Sequence, residues 1–102
     1  KMIIVMGEFR LKPEYLDNLR PEIEQMVKMS NSESGCIYFQ FSEALDDPGL
    51  MRLSEKWKSM EDLEIHFQSA HFKRWRAAIS ENGGATDRDV AAYEVTLEKD
   101  LS

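Results

Sequence analysis

Two apolar runs and one helical repeat of apolar residues organise the first half of the chain. Residues 2–10 are rich in Ile, Val, Met and Phe and too few for a stable helix, which predicts a strand. From 13 to about 29, apolar residues recur at helical spacing and predict a helix that Pro21 should kink or divide. Residues 37–41 combine β-branched and aromatic side chains and predict a second strand.

Strict alternation and two serine residues organise the second half. Residues 50–58 are predicted to form a third strand, with one face inward: Met51, Leu53, Glu55 and Trp57. Ser59 and Ser69 are placed to cap two short helices, and the residues 81–84 end the second of them. A fourth strand is predicted over residues 90–97.

The predicted order of elements, βαββααβ, is that of an α+β ferredoxin-like fold: a four-stranded antiparallel sheet with its helices on one face. Two of the strands, however, offer apolar side chains to both faces of that sheet, as in Ile3-Ile4-Val5-Met6. A monomer would then expose a large apolar patch, so we expect a homodimer that packs sheet against sheet.

Composition narrows the class of protein. The 102 residues are expected to form one domain, residues 2–102. The formal charge of −6 disfavours binding to nucleic acid or anionic lipid, and no apolar run approaches the roughly 20 residues of a membrane span. The single cysteine, Cys36, fits a reducing compartment, so a cytoplasmic location is expected.

Two histidines beside aromatic residues are the main candidates for chemistry. His66 and His71 lie near Phe67, Phe72 and Trp75 in sequence, and could form the polar end of a pocket for a planar organic molecule. Histidines that cap a helix or lie in the core are about as common, and core packing is the default role for Trp75.

Metal binding is not expected, because a spacing of five does not place the two histidines one turn apart on a helix. The nearby carboxylates, Glu61, Asp62 and Glu64, fit the start of a helix instead. Glu55 would be an inward-facing carboxylate that needs Arg74, Arg76 or a backbone donor as its partner. Either a structural ion pair or a general base would satisfy that need.

Several of these residues together resemble a known family. The segment Glu55-Lys56-Trp57-Lys58-Ser59, followed by Leu63, His66, Ser69 and His71-Phe72, resembles the signature of the antibiotic biosynthesis monooxygenase domain. The segment 33–36 and the Asp47-Pro48 turn are also similar to that family. The resemblance is strongest to small bacterial quinol monooxygenase-like members.

The resemblance implies a dimeric α/β barrel and, for some members, oxygenation of quinols or polycyclic phenols with O2 and without metal or flavin. It makes His66 the candidate base. The expected substrate-binding residues are Trp57, Phe67, His71, Trp75 and Glu55. No cofactor is expected, and the expected partners are a small aromatic substrate, O2 and a second copy of the chain.

Departures from the family's branches leave other functions open. Leu53 and Leu63 stand where the aromatic polyketide monooxygenases carry Asn and Tyr, so their particular substrate does not transfer. Phe9, His66 and Arg76 stand where haem-degrading members need Asn, Trp and His, which argues against haem degradation. The alternatives are an isomerase of a small carbonyl or phosphosugar compound and a non-catalytic dimeric module that binds a small ligand.

Overall fold

A four-stranded antiparallel sheet and three α-helices make up the fold in the computed structural model, which describes all 102 residues. The order is β1 (Ile3–Leu11), a 3-10 turn (Pro13–Tyr15), α1 (Leu16–Asn31), β2 (Cys36–Glu43), β3 (Leu50–Trp57), α2 (Met60–Phe67), α3 (Ala70–Glu81) and β4 (Ala85–Glu94). The strands lie in the order β2-β3-β1-β4. The predicted ferredoxin-like α+β fold is confirmed.

The core lies between the sheet and the helices, and β3 shows how the sequence specifies it. Its inward residues, including Glu55 and Trp57, are buried as the alternation predicted. They meet buried side chains of β1 and β2, such as Phe9 and Phe39, and of the helices, such as Leu19 and Trp75. One hydrophobic cluster therefore joins every layer of the fold.

The first helix differs in detail from its prediction. The chain forms a 3-10 turn at Pro13–Tyr15 and becomes α-helical at Leu16, and the helix then runs through Pro21 to Asn31. Pro21 lies only five residues beyond the start of α1, so its missing N–H removes a single hydrogen bond near the helix end. The division predicted at Pro21 occurs instead before Leu16.

The predicted position of the fourth strand is wrong. β4 spans Ala85–Glu94 and not residues 90–97, and it pairs with β1 along its whole length, from Leu11↔Ala85 to Ile3↔Glu94. The polar segment before Val90 has low strand propensity, and its pairing with β1 overrides that propensity. Gly83, at φ +90°, ends α3 so that the chain can enter the sheet at Ala85.

The outer face of the sheet carries exposed apolar side chains. Met6, Tyr38 and Tyr93 are 56%, 45% and 55% exposed. The sheet-to-sheet homodimer expected from this pattern stays a prediction. No helix in the structure is both long and apolar enough to span a bilayer.

Candidate active site

Two serine caps fix the positions of the histidines. Ser59 accepts a hydrogen bond from the backbone N–H of Asp62 at the start of α2, and Ser69 accepts one from Phe72 at the start of α3, as predicted. The Ser69 hydroxyl also donates to the carbonyl of His66 at 2.6 Å. This junction places His66 in the last turn of α2 and His71 in the first turn of α3.

The loop before β2 packs closely against α2 and brings Glu33 to the two histidines. A Cβ at Gly35 would overlap the side chain of Asp62, so only glycine permits this packing. The Gly35 carbonyl also accepts a hydrogen bond from the N–H of Lys58, at 2.9 Å. Glu33, two residues before Gly35, is thereby held against both imidazole rings.

One carboxylate oxygen binds both rings. Glu33 Oε2 lies 2.6 Å from Nδ1 of His66 and 2.8 Å from Nε2 of His71. A carboxylate only accepts hydrogen bonds, so each of these ring nitrogens carries the proton that it donates. In a neutral His66 this leaves the lone pair on Nε2.

Aromatic rings surround His66. The centroid of its ring lies 4.6 Å from that of Trp57, 5.2 Å from Phe72, 5.5 Å from Phe39 and 5.9 Å from Phe67. The residue is only 1% exposed. Burial lowers the pKa of His66 below its ordinary value, and the Glu33 contact opposes that shift only in part. The ring is therefore neutral at neutral pH.

A cavity of about 270 Å³ lies beside His66, between the sheet and the helices. His66 lines this cavity, and its Nδ1 is turned toward Glu33. Nε2 makes no hydrogen bond within the protein, and we infer that this nitrogen is the one that faces the cavity. Thirteen of the sixteen lining residues are hydrophobic, so the lone pair faces a mostly apolar space.

Glu55 is the acidic group of the cavity wall. Its Oε1 accepts a hydrogen bond from the indole Nε1 of Trp57 at 2.9 Å, so the expected arginine partners are wrong. Arg74 instead pairs with Glu22 on the surface. Burial raises the pKa of Glu55, the indole contact lowers it in part, and the charge of Glu33 raises it; the pKa that results is about 7. Glu55 is thus partly protonated at neutral pH.

The predicted site residues divide into two groups. His66, Glu55, Phe67 and Trp75 line the cavity. Trp57 is fully buried and does not line the cavity, and it contacts Glu55 and His66 from behind the wall. His71 faces an outer groove instead.

Sequence reasoning missed two further residues of the site. The sequence indicates Glu33 only as part of the family-like segment 33–36, and nothing in its local pattern distinguishes it from other loop carboxylates. Arg88 lies at the cavity wall with its guanidinium carbon 5.8 Å from the centre of the Phe9 ring. It belongs to the part of β4 that the sequence did not predict.

The Glu33–His66–His71 cluster also has the composition of a metal site. Its three ligand atoms lie within 4.8 Å of one another. The helix-spacing argument against a metal does not apply, because the histidines lie on different helices, with ring centroids 5.7 Å apart.

Comparisons with known proteins agree on one family. The model of the family described as "Antibiotic biosynthesis monooxygenase" matches residues 2–78. The Bacillus subtilis protein named "Putative monooxygenase YcnE" is 26% identical over 72 residues, which cover 71% of this chain and 76% of that protein.

Solved structures share the fold over almost the whole chain. A Deinococcus radiodurans protein described as a "putative antibiotic biosynthesis monooxygenase" superposes with a TM-score of 0.86 at 22% identity, over 98% of each chain. Rv0793 of Mycobacterium tuberculosis superposes with a TM-score of 0.76 at 25% identity, over 100% of each chain.

Proposed function

Because the chain belongs to the antibiotic biosynthesis monooxygenase family, we propose that it is a cofactor-independent monooxygenase of a small quinol or phenol, with His66 as the general base. This proposal rests on the orientation of the His66 ring. His66 donates from Nδ1 to Glu33 and presents its Nε2 lone pair to the apolar cavity. A base in this setting can take the proton of a phenolic O–H group.

The reaction needs no external reductant because the substrate supplies all the electrons. Loss of the phenolic proton to His66 gives an electron-rich anion, which transfers one electron to O2. The radical pair combines at a ring carbon that bears hydrogen, and the resulting hydroperoxide loses water to leave a carbonyl group. One oxygen atom of O2 enters the product, the other leaves as water, and a phenol becomes a quinone.

Glu55 supplies a second proton-bearing group in this scheme. With a pKa of about 7, it can donate a proton to the departing hydroxide or hold a hydrogen bond to a substrate oxygen. Glu33 does not touch the cavity and acts as a positioning residue, because it fixes the tautomer of His66 and stabilises the imidazolium that forms.

The cavity also indicates the size and polarity of the substrate. Its volume of about 270 Å³ lies just below the roughly 300–1,000 Å³ of drug-sized ligand pockets. We therefore favour a compound of one or two rings. The hydrophobic lining weighs against a phosphosugar, since Arg88 is the only cation on the wall.

We propose further that the protein acts in the cytoplasm as a homodimer joined through the sheets. The free thiol of Cys36 fits a reducing compartment, and the outer face of the sheet carries exposed Met6, Tyr38 and Tyr93. A partner sheet would cover these side chains and stiffen the wall of the cavity. Sedimentation equilibrium of the purified chain tests this part, and a stable monomer would contradict it.

Oxygen uptake tests the reaction. Protein stripped of metal and flavin is given one-, two- and three-ring quinols and phenols in isotope-labelled O2. We expect uptake with the smaller compounds and one labelled oxygen atom in the product. His66→Gln, which keeps a similar volume, should lower the rate about 10²–10⁴-fold, the usual contribution of a general base.

Two controls separate the alternatives. His71→Gln removes the imidazole that does not line the cavity and should cost less activity than His66→Gln. Uptake no faster than autoxidation would contradict the proposal. Tight ligand binding without turnover would then favour a binding module, and conversion without O2 would favour an isomerase.

A further inference from the structure

We propose that Glu33, His66 and His71 form a binding site for a divalent transition ion of the Zn²⁺ class, and that the bound ion removes the cavity-facing base of His66. The second half of this inference rests on the proposed function, whereas the first half does not. The site would couple metal availability to the activity of the cavity.

The identity and the spacing of the three ligands support metal binding. Two imidazole nitrogens and one carboxylate are common ligands of Zn²⁺ and related ions. The three ligand atoms already lie within 4.8 Å of one another, and Glu33 Oε2 is 2.6 and 2.8 Å from the two nitrogens. Bonds of about 2.0–2.1 Å to each nitrogen span at most about 4.2 Å between the two nitrogens. An ion therefore needs the two imidazoles to move slightly toward each other and the Glu33 carboxylate to shift outward. That carboxylate lies in a loop between α1 and β2, where such a shift does not disturb the sheet.

The surroundings of the cluster supply a route and a charge that suit a cation. An open groove on the outer surface reaches Glu33 and His71 and is also lined by Glu61 and Glu64. No Lys or Arg lines it. Three carboxylates on a groove without a basic side chain raise the local concentration of cations and repel anions. An ion can therefore reach the cluster through this groove without passing through the apolar cavity.

A metal ion at this site would change the tautomer of His66. Without metal, the proton on Nδ1 is donated to Glu33, and Nε2 holds the lone pair. A metal ion bound to Nδ1 displaces that proton, and the neutral ring then carries its proton on Nε2. His66 changes from a hydrogen-bond acceptor to a donor at the cavity. It can no longer take a proton from a phenol, although the cavity keeps its shape.

Nuclear magnetic resonance of the imidazole nitrogens tests the binding directly, because the chain has only two histidines. Zn²⁺ is titrated into metal-stripped protein. We expect saturation at one ion per chain, with the largest shifts at Nδ1 of one ring and Nε2 of the other, and with the ring proton of His66 moving to Nε2. Saturation without a change at either ring would overturn the proposal.

Matched variants identify the ligands by calorimetry. His71→Gln and Glu33→Gln each remove one ligand and should weaken Zn²⁺ binding more than about 100-fold, beyond the roughly 10–100-fold that loss of a supporting contact costs. Glu64→Gln removes one charge of the same groove without removing a ligand, and should change the affinity only a few-fold. Equal losses in all three variants would show general attraction by the groove and would overturn the site. The wild-type resonance titration decides the matter if a variant fails to fold.

Oxygen uptake at increasing Zn²⁺ tests whether the bound ion removes the base of His66. We expect inhibition that saturates at the calorimetric affinity in the wild type and is much weaker in His71→Gln. Stimulation of uptake, or inhibition that persists unchanged in His71→Gln, would overturn the switch. If the metal-free protein shows no uptake at all, the proposed function fails while the resonance titration still decides the metal site.

Discussion

Glu33 contacts the ring of His66 and Glu55 contacts the ring of Trp57 beside it, yet the surroundings of the two carboxylates differ. Glu33 lies in a loop, is partly accessible and accepts hydrogen bonds from two imidazoles. Glu55 lies in the middle of β3, between Val5 and Phe39 of the neighbouring strands, and has a single indole donor. Burial therefore outweighs hydrogen bonding at Glu55, and its pKa rises to about 7. The comparison teaches that two carboxylates near the same ring can take different roles: Glu33 accepts hydrogen bonds from two imidazoles, whereas Glu55, buried with one donor, can carry a proton.

The largest effect on stability should come from Glu55→Gln, which replaces the carboxyl group by a neutral amide. Because the pKa of Glu55 is raised from 4.5 to about 7 on folding, the folded protein binds this proton more tightly than the unfolded chain. Its contribution to stability is full below pH 4.5 and is lost as the pH rises through about 7. The loss amounts to about 3 kcal/mol at most, from 1.36 kcal/mol per unit of pKa. Glu55→Gln should remove this loss and raise the free energy of unfolding at pH 8.

Urea unfolding at pH 5 and pH 8 measures this effect. Between pH 5 and pH 8, the free energy of unfolding should fall more for the wild type than for Glu55→Gln. An equal pH dependence in both proteins would show that Glu55 is already ionised in the folded state and would remove the contrast with Glu33.

The same substitution at Glu33 should lower the free energy of unfolding at pH 8 instead of raising it. Glu33→Gln replaces a charged acceptor of two imidazole N–H groups by a neutral one, and hydrogen bonds to charged groups contribute about 1.5–3 kcal/mol. We expect a lower free energy of unfolding at pH 8. The oxygen-uptake rate should fall about tenfold to a hundredfold, less than the about 10²–10⁴-fold due to the base itself. A stable Glu33→Gln with full activity would show that the carboxylate does not orient His66.

The smallest effect should come from the junction of α2 and α3. Ser69→Ala removes the cap of α3 and the hydrogen bond to the His66 carbonyl, and the loss of a cap costs about 1 kcal/mol. Ser59→Ala is the matched control, since it removes a cap that does not touch either histidine. Thermal unfolding should show similar losses for both. Oxygen uptake should fall more for Ser69→Ala, and equal uptake would mean that the junction does not position His66.

Most of the fold could be predicted because its local signals agree with its tertiary structure. The alternation of residues 50–58 matches the buried face of β3, and both serine caps lie where the helices begin. β4 could not be placed, because it is an edge strand whose residues are almost all exposed and so lack alternation. Its position depends on pairing with β1, through a register shift between Glu8 and Arg10 that no local pattern encodes.

The candidate site could be predicted only in part for a similar reason. His66 and Glu55 lie near each other in sequence and on elements with clear patterns, so their approach could be inferred. Glu33 is separated from His66 by 33 positions. The glycine that lets its loop approach α2 looks like any turn glycine until Asp62 is seen beside it.

The strand that completes the cavity wall is also held by one neighbour alone. β4 contributes Val90, Ala92 and Arg88 to the wall, yet it bonds only to β1, whereas β3 bonds on both sides. Partial separation of an edge strand breaks far fewer hydrogen bonds than global unfolding, so it occurs more often. If the cavity binds the proposed substrate, we expect its residence time to depend on the fraying of a strand that carries neither imidazole, so that entry and chemistry would depend on separate parts of the chain.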